Sequence, residues 1–466
     1  MKTVREVSSL SSATFDRGAT AGLYEPHAPA VVAVSAARSS HHKDAATARI
    51  PQWQAWREAA HQIKAYTIAH LDRLLVQFEQ QATARGAKVL WAENAEQANT
   101  LVLDIARAHK VQSVVKSKSM VAEEIGLNAA LEAAGIQALE TDLGEYIVQL
   151  AGQRPSHIIA PAMHMSAADV GRLFAEKLGE PYSEKPEELS AVARRLLRHK
   201  YLQAGMGVSG VNFAVAETGT LVVVENEGNA GLTMAAPPVH VAVMGIEKLI
   251  PRLADLPVFL NLLARSGTGQ QLTTYTHLIQ GVMPPRELYV VLLDNGRTSI
   301  LADRPARQSL YCIRCGACLN VCPVYRRTGG WAYGWVYPGP IGAVTTPHLV
   351  GLEQAGELPF ASSLCGACEE TCPVKIDIPH QLLHLRHRAV TEPSPVRSGG
   401  QRRFWRLWAW SMSRRGRYEL AMRALRIGLR LARHLPWKPA PLEAWTRGRE
   451  LPKLPAQSFR AWWRSR

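Results

Sequence analysis

An α/β domain, followed by a cysteine-bearing segment and a basic helical tail, is the architecture this sequence predicts. Three observations predict it. Strand-like runs alternate with capped helices between about residues 70 and 300, all seven cysteines fall between residues 312 and 372, and the last seventy residues carry the whole net charge. With 466 residues, 47% of them hydrophobic, the chain is long enough to bury a sizeable core and to divide into two to four domains.

The first fifty residues are rich in Ala, Ser and His without a sustained period and read as a poorly ordered arm. From PQWQAW to Gly86 the pattern is that of a long helix, with Trp53, Trp56, Ala60, Ile63, Leu71 and Leu74 at turn-like spacings. AKVLWA is a strand. NAEQANTLVLDIARAHK is a helix capped by Asn94, VQSVVK a strand, and SMVAEEIGLNAALEAAG a helix capped by Ser119 and stopped near Gly135. IQALE and SHIIAP follow as strands. Strands separated by helices of this length imply a mostly parallel sheet covered on both faces. VNFAVAE and GTLVVVEN, joined by a tight Glu-Thr-Gly turn, and then VHVAVMG and ELYVVLLDNG complete an α/β domain over residues 51–301. In the segment 302–392, the stretch between the two cysteine runs is rich in Gly, Pro and aromatics, which suits a wrapped loop shielding a cofactor. The tail begins at residue 393.

Cys312, Cys315, Cys318 and Cys322-Pro323 follow C-x2-C-x2-C-x3-C-P, the spacing of bacterial ferredoxins. Two intervening residues let three thiolates close on one cubane from a single tight loop, and the fourth points away to another cluster. That crossing rule assigns Cys312, Cys315, Cys318 and Cys372 to one [4Fe-4S] cluster, and Cys322, Cys365 and Cys368 to a second that is one ligand short. Ser362 stands where the missing cysteine would be. Either Ser362, water or another oxygen or nitrogen ligand holds the fourth iron, or that iron is labile and the centre is isolated as [3Fe-4S]. A four-iron cluster with one exchangeable corner is the expectation. The competing reading, tetrahedral zinc, leaves three of the seven thiolates without a role. Cysteines confined to one segment and odd in number point to a reducing compartment, not to disulfides.

Other signals carry less. Gly205, Gly207 and Gly210 satisfy G-x-G-x-x-G, but a helix precedes them and a strand follows, the reverse of a dinucleotide site, so they read as a helix-to-strand turn. Glu217 in AETGT reads as a turn carboxylate satisfied by backbone amides ahead of a pocket acid. Lys116 and Lys118 stand where α/β sheets bind anions, against the plainer reading of two solvated loop lysines. His157 and His164 are core or loop histidines as readily as proton carriers.

Residues 397–466 hold eighteen Lys and Arg against three Glu, which leaves the rest of the chain neutral despite a total of +15. A general nucleic-acid reading therefore fails, and no reader motif is present. Arg423, Arg426, Arg430 and Arg433 fall on one helical stripe. Seven of the twelve tryptophans, at 405, 408, 410, 437, 445, 462 and 463, lie in the same region. Arg and Trp on a largely apolar helix suit an interfacial membrane anchor or a helix docked on protein, with neither favoured. The start lacks a secretory pattern and no apolar run is long enough to span a bilayer, so a cytoplasmic protein, peripheral on the inner membrane face if the tail anchors it, is expected.

Taken in order, KSKSMVAEEIGLN, ETDLGEYIVQL, PSHIIAPAMH, AETGT, VMGIEKLIP, DNGR, CIRCGACLNVCPVYR, YPGPIGAV and SSLCGACEETCPVKIDIP resemble the iron-sulfur protein B family of bacterial lactate-utilization systems. The likeness covers roughly residues 50–390 and extends more faintly to FRAWWR near the end; the Trp and Arg density of the tail departs from it. The resemblance implies a lactate-utilization domain similar in fold to the glucosamine-phosphate isomerase and CoA-transferase group, followed by an α-helical ferredoxin. It further implies participation in oxidising L-lactate to pyruvate with two partner proteins, a cysteine-rich iron-sulfur protein and a smaller protein of the same α/β domain. It places no lactate-binding residue. The alternative from a different class is a standalone electron carrier or redox sensor without substrate chemistry.

Overall fold

Continuous Val, Ile and Leu runs form a parallel sheet with both faces buried, as expected for strands covered by helices on each side. The computed structural model describes residues 15–24, 27–392, 399–432, 443, 446, 450, 455 and 457–466, in two compact units, 1–396 and 397–466. The described strands are β1 (Ala87–Ala92), β2 (Ser113–Lys116), β3 (Gln137–Glu140), β4 (Met206–Gly210), β5 (Phe213–Val215), β6 (Thr220–Glu225), β7 (Val239–Gly245), β8 (Leu249–Ile250), β9 (Tyr275–Ile279) and β10 (Glu287–Leu293). Six make a parallel sheet in the order β1-β10-β7-β4-β2-β3, and four make a second sheet in the order β8-β5-β6-β9.

Register explains the two faces. Val239, Val241 and Val243 of β7 point into one core with Tyr289, Val291 and Leu293 of β10, beneath the helix Ala95–Ala108. Ala242, Met244, Leu288, Val290 and Leu292 point the other way, onto Leu71, Leu74, Leu75 and Phe78. A third core runs without interruption from Phe213, Val222 and Phe259 of the α/β part to Leu319, Tyr325, Ile341 and Leu382 of the cysteine segment. The two parts thus share an interior.

Five expectations need correction. Residues 15–24 and 27–47 are helices instead of a poorly ordered arm, and Val32 and Ala36 are buried, Val32 in the shared core, where tertiary packing outweighs weak local periodicity. Residues 1–14 lie outside the described residues. The long leading helix is two, Trp53–Ala69 and Leu71–Ala84, broken at His70. The helix capped by Ser119 also splits, because Gly126 adopts the left-handed conformation between Met120–Glu124 and Leu127–Ala133. SHIIAP forms no strand. Its ends are tied as a loop by Ser156 N–H to Pro161 O at 3.0 Å, and the His157 ring accepts from the amides of Ile159 and Ala160. The expected wrapped loop is helical over Pro323–Thr328 and Gly339–Val350, the latter buried from Gly339 to Pro347 and apolar around its circumference.

In the second unit the helices Gly399–Met412 and Arg415–Ala432 expose Trp405, Trp408, Trp410, Leu420 and Ile427. Arg426 donates to Pro455 O at 2.6 Å. The Arg430 side chain, Arg433, Trp437 and Trp445 lie outside the described residues. No helix among the described residues is long and apolar enough to cross a membrane.

Candidate metal centre

Cysteine spacing alone brings the first three thiols together; the fold must supply the rest. Cys312, Cys315, Cys318 and Cys372 line one small cavity whose other walls are mostly apolar, formed by Ile158, Ile313, Ile341, Val374, Ile376 and Ile378, with Arg314 the one charged residue on it. Cys322, Cys365 and Cys368 make the other neighbourhood, close enough for Cys322 and Cys365 to act electrostatically on the Cys368 thiol. Backbone amides point at sulfur in both. Arg314 N–H donates to Cys312 Sγ at 3.4 Å, Ile376 N–H to Cys372 Sγ at 3.4 Å and Tyr325 N–H to Cys322 Sγ at 3.5 Å.

The second cysteine loop repeats the backbone of the first. Arg314 and Leu364, each one residue before a cysteine, have φ of 60° and 56°, and Gly316 and Gly366, each one residue after, have φ of 76° and 85°. In the first loop the amide of Arg314 donates back two residues to Cys312 Sγ. In the second the amide of Leu364 donates back two residues to Ser362 Oγ at 3.1 Å. The serine oxygen therefore occupies the position of a loop sulfur. Exposure separates the loops: Cys365 is exposed, Cys315 buried.

This donor set fits iron-sulfur cages. Burial pushes the thiols of Cys315 and Cys318 far up, Cys368 up to about 12 and Cys372 up to about 11, and a bound cation would favour their thiolate forms by replacing the lost water. Among the described residues no three His, Cys, Asp or Glu side chains converge on a point as around one ion. Tetrahedral zinc needs its sulfurs about 2.3 Å from a common centre, whereas a cubane spreads its ligands over separate corners.

The leading helix Trp53–Ala69 fixes the second loop from outside. Arg57 donates through Nε and Nη2 to Cys372 O at 2.9 and 2.7 Å, and His61 Nδ1 lies 2.9 Å from Val374 O. One turn on, Lys64 donates to Glu247 O at 2.5 Å and Leu249 O at 3.3 Å. One helix thus ties the cysteine segment to the sheet.

Between these parts lies a buried ionic network that sequence reasoning passed over. Arg297 reaches Glu124 with Nη1 and Nη2, both at 2.9 Å, and Glu247 with Nε at 2.6 Å. Tyr337 donates to Glu124 at 2.6 Å, and Arg314 lies over the Tyr337 ring at 4.5 Å. Burial alone would raise Glu247; the charges of Arg297, Lys248 and Arg314 instead hold it down to about 2. The motifs VAEEIGLN, MGIEK, DNGR, CIRCGAC and YPGP meet here. The available signal was charged residues inside otherwise apolar runs.

Beside the network a cavity of about 300 Å³ opens at the carboxyl ends of β2 and β4 and shares Ile158, Arg314 and Cys315 with the cysteine cavity. Lys118 lines it, ion-paired to Glu145, and Lys116 is buried against Glu140 at 2.7 Å. Neither is a solvated loop lysine, because the strand end they occupy is covered. Glu217 accepts from Leu253 N–H at 2.9 Å and is exposed, the turn-carboxylate arrangement. His157 and His164 are buried, held by backbone amides in one case and by Ser156 and Gln153 in the other, and burial draws them down to about 3 and about 4. Their burial and local hydrogen bonds are those of packing residues. Gly207 sits inside β4, where a Cβ would meet Thr233 O at 1.9 Å, so the glycine run serves helix-on-strand packing.

Residues 75–295 match the LUD domain, residues 308–376 the 4Fe-4S dicluster domain, and residues 384–466 the C-terminal domain of lactate utilisation protein B. The last match carries the family likeness through the tail, beyond the faint extension to FRAWWR that the sequence suggested. Proteins named lactate utilization protein B from Bacillus pumilus (strain SAFR-032) and Geobacillus sp. (strain WCH70) are 43% and 41% identical. The first alignment covers 90% of each chain, the second 97% of this chain and 94% of the other. The protein of that name from Shouchella clausii (strain KSM-K16) is 40% identical over 98% of both chains. A solved DUF162 family protein from Deinococcus radiodurans aligns with TM-score 0.28 and 15% identity over 48% of this chain and 98% of its own, a likeness too weak to bear on the fold. With this identity sustained across nearly the whole chain, and with the cysteine segment matching a dicluster iron-sulfur domain, the chain belongs to the lactate utilization protein B family.

Proposed function

We propose that this chain is the electron-transfer subunit of a multi-protein system oxidising L-lactate to pyruvate. The observation that carries the reading is the grouping of seven cysteines into a set of four and a set of three, set against an α/β domain with which they share a core. Lactate oxidation releases two electrons and two protons, and two iron-sulfur clusters supply two one-electron carriers. Cys312, Cys315, Cys318 and Cys372 would hold one [4Fe-4S] cluster and Cys322, Cys365 and Cys368 the other. Ser362 Oγ, in the place of a ligating sulfur, is the candidate for the fourth position of the second. The chain's own contribution is to supply thiolates, aim amides at them and keep water from the buried set with isoleucine and valine walls.

The same reading takes the α/β part as a member of the glucosamine-phosphate isomerase and CoA-transferase fold group, supported by its helix-covered parallel sheet. The two partners are a cysteine-rich iron-sulfur protein and a smaller protein with the same α/β domain. The tail, with its exposed tryptophans and basic surplus, makes peripheral contact with the inner face of the membrane, near a quinone-type acceptor. The test is lactate-dependent bleaching of iron-sulfur absorbance in anaerobically purified full chain, with and without the partner proteins. Bleaching in the mixture is expected. Its absence in every combination would leave a standalone carrier as the better reading, and iron-free, colourless, folded protein would end both.

A further inference from the structure

The cavity of about 300 Å³ beside the first cysteine set has a wall whose charge is not balanced from within. Lys248 lines it and is only 8% exposed, yet its Nζ makes no hydrogen bond or ion pair among the described residues. Arg314, which faces both cavities and lies over the Tyr337 ring, leaves Nη1 buried and without a hydrogen-bond partner, while its Nη2 stands 3.6 Å from Glu247 Oε1; the Cys312 sulfur is the other negative group that acts on it and on Lys248. Glu247 is already engaged by Arg297. Lys118, on the same cavity, is taken by Glu145.

The carboxylates across the cavity do not complete the set. Glu225 accepts from the amides of Ala230 and Gly231 and lies 2.6 Å from His277 Nε2, and Glu227 accepts from Leu143 N–H. Asp142 accepts from the amide of Glu145. A buried ammonium beside a buried guanidinium is costly unless an anion joins them. The space is sufficient for a small organic acid with accompanying water.

We infer that this cavity binds a small 2-hydroxy or 2-oxo monocarboxylate, its carboxylate on Lys248 and Arg314. The inference rests on the reading of the chain as part of a lactate-oxidising system and deepens it, since such a ligand would sit beside Ile158 and Cys315, which line both this cavity and that of the first cysteine set. Charge would select for the carboxylate, and the apolar flank, including Ile159, Val211 and Leu263, would favour a short aliphatic body over a polar one.

The experiment is isothermal titration of iron-loaded full chain, under anaerobic conditions, with L-lactate, pyruvate and neutral lactamide. Saturable binding of at least one acid and none of lactamide is expected. Lys248→Met should weaken binding at least tenfold and Lys248→Arg less, with cluster absorbance unchanged. Ala264→Leu, which fills the cavity without touching a charge, should weaken it as well and guards against a Lys248 variant that fails to fold. Absence of saturable binding by both acids, or wild-type affinity in Lys248→Met and Ala264→Leu, would overturn the inference. A Lys248→Met variant that binds normally but shifts the potential of the first cluster would assign the lysine to the cluster alone and equally overturn it. Lactate-driven bleaching in the partner mixture without binding to the isolated chain would remove this site and leave the electron-transfer reading standing; binding without bleaching would do the reverse.

Discussion

Arg297 shows how much one side chain can organise. Fully buried, it bridges Glu124 and Glu247, carboxylates contributed by segments 123 residues apart in the chain. Removing one partner of a buried pair leaves an uncompensated charge, at about 3–5 kcal/mol. Glu124→Ala should therefore lower the unfolding free energy of the full chain by that amount in urea titration; a loss under about 1 kcal/mol would mean the network relaxes freely. At Ser362 the expectation is spectroscopic. Because its oxygen mirrors Cys312 Sγ in the loop hydrogen bond, Ser362→Ala should increase the three-iron EPR signal after mild oxidation and Ser362→Cys should suppress it. Identical signals in wild type and both variants would assign that corner to water.

Among the elements, the helix Trp53–Ala69 is the tie between sheet and cysteine segment. Arg57→Met would leave Cys372 O without its charged donors; hydrogen bonds to charged groups contribute about 1.5–3 kcal/mol. Faster release of iron to a chelator is expected, with the sheet's circular dichroism unchanged, and wild-type release kinetics would show that the loop is held by other contacts. Most strands and helix caps were legible, because period and cap chemistry are local: Asn94 and Ser119 accept amides three residues on, as cap residues do. In the second sheet the β5–β6 pair, VNFAVAE and GTLVVVEN, was legible and β9 was not. Strand β9 alternates half-exposed residues and pairs with β6 fifty residues away, which no local pattern reports. SHIIAP misled for the opposite reason: its β-branched residues look extended, but the His157 ring captures two amides and curls the chain. The cysteine spacing was legible because it is local, while the network of Glu124, Glu247, Arg297 and Tyr337 depends on four segments meeting in space.

At the scale of the whole molecule, three buried histidines, His157, His164 and His240, and the half-buried His348 set an acid limit. Burial draws His157 and His240 down to about 3, and His164 and His348 to about 4. A histidine that stays neutral when folded but protonates when unfolded contributes stability that is complete above its unfolded pKa near 6.5. That contribution is lost progressively as pH falls toward the folded value, at up to about 1.4 kcal/mol per pH unit. His240, paired with Ser209 at 2.8 Å inside the parallel sheet, is the cleanest probe. The stability gap between wild type and His240→Gln should narrow by about 1 kcal/mol between pH 7 and 5.5; a constant gap would show that this ring titrates in the native state as it does in the unfolded chain, and a widening gap that it is charged there.

The helix that ties the two parts together is made early, and its partners come late. Lys64 waits 183 residues for Glu247, and Arg57 waits 315 for Cys372. At 5–20 residues per second, the second interval is about 15 to 60 s of synthesis. During that time the nascent chain cannot close its sulfur-lined chamber, so iron delivery has to follow near-complete translation, and any factor that loads the metal must recognise an almost finished polypeptide.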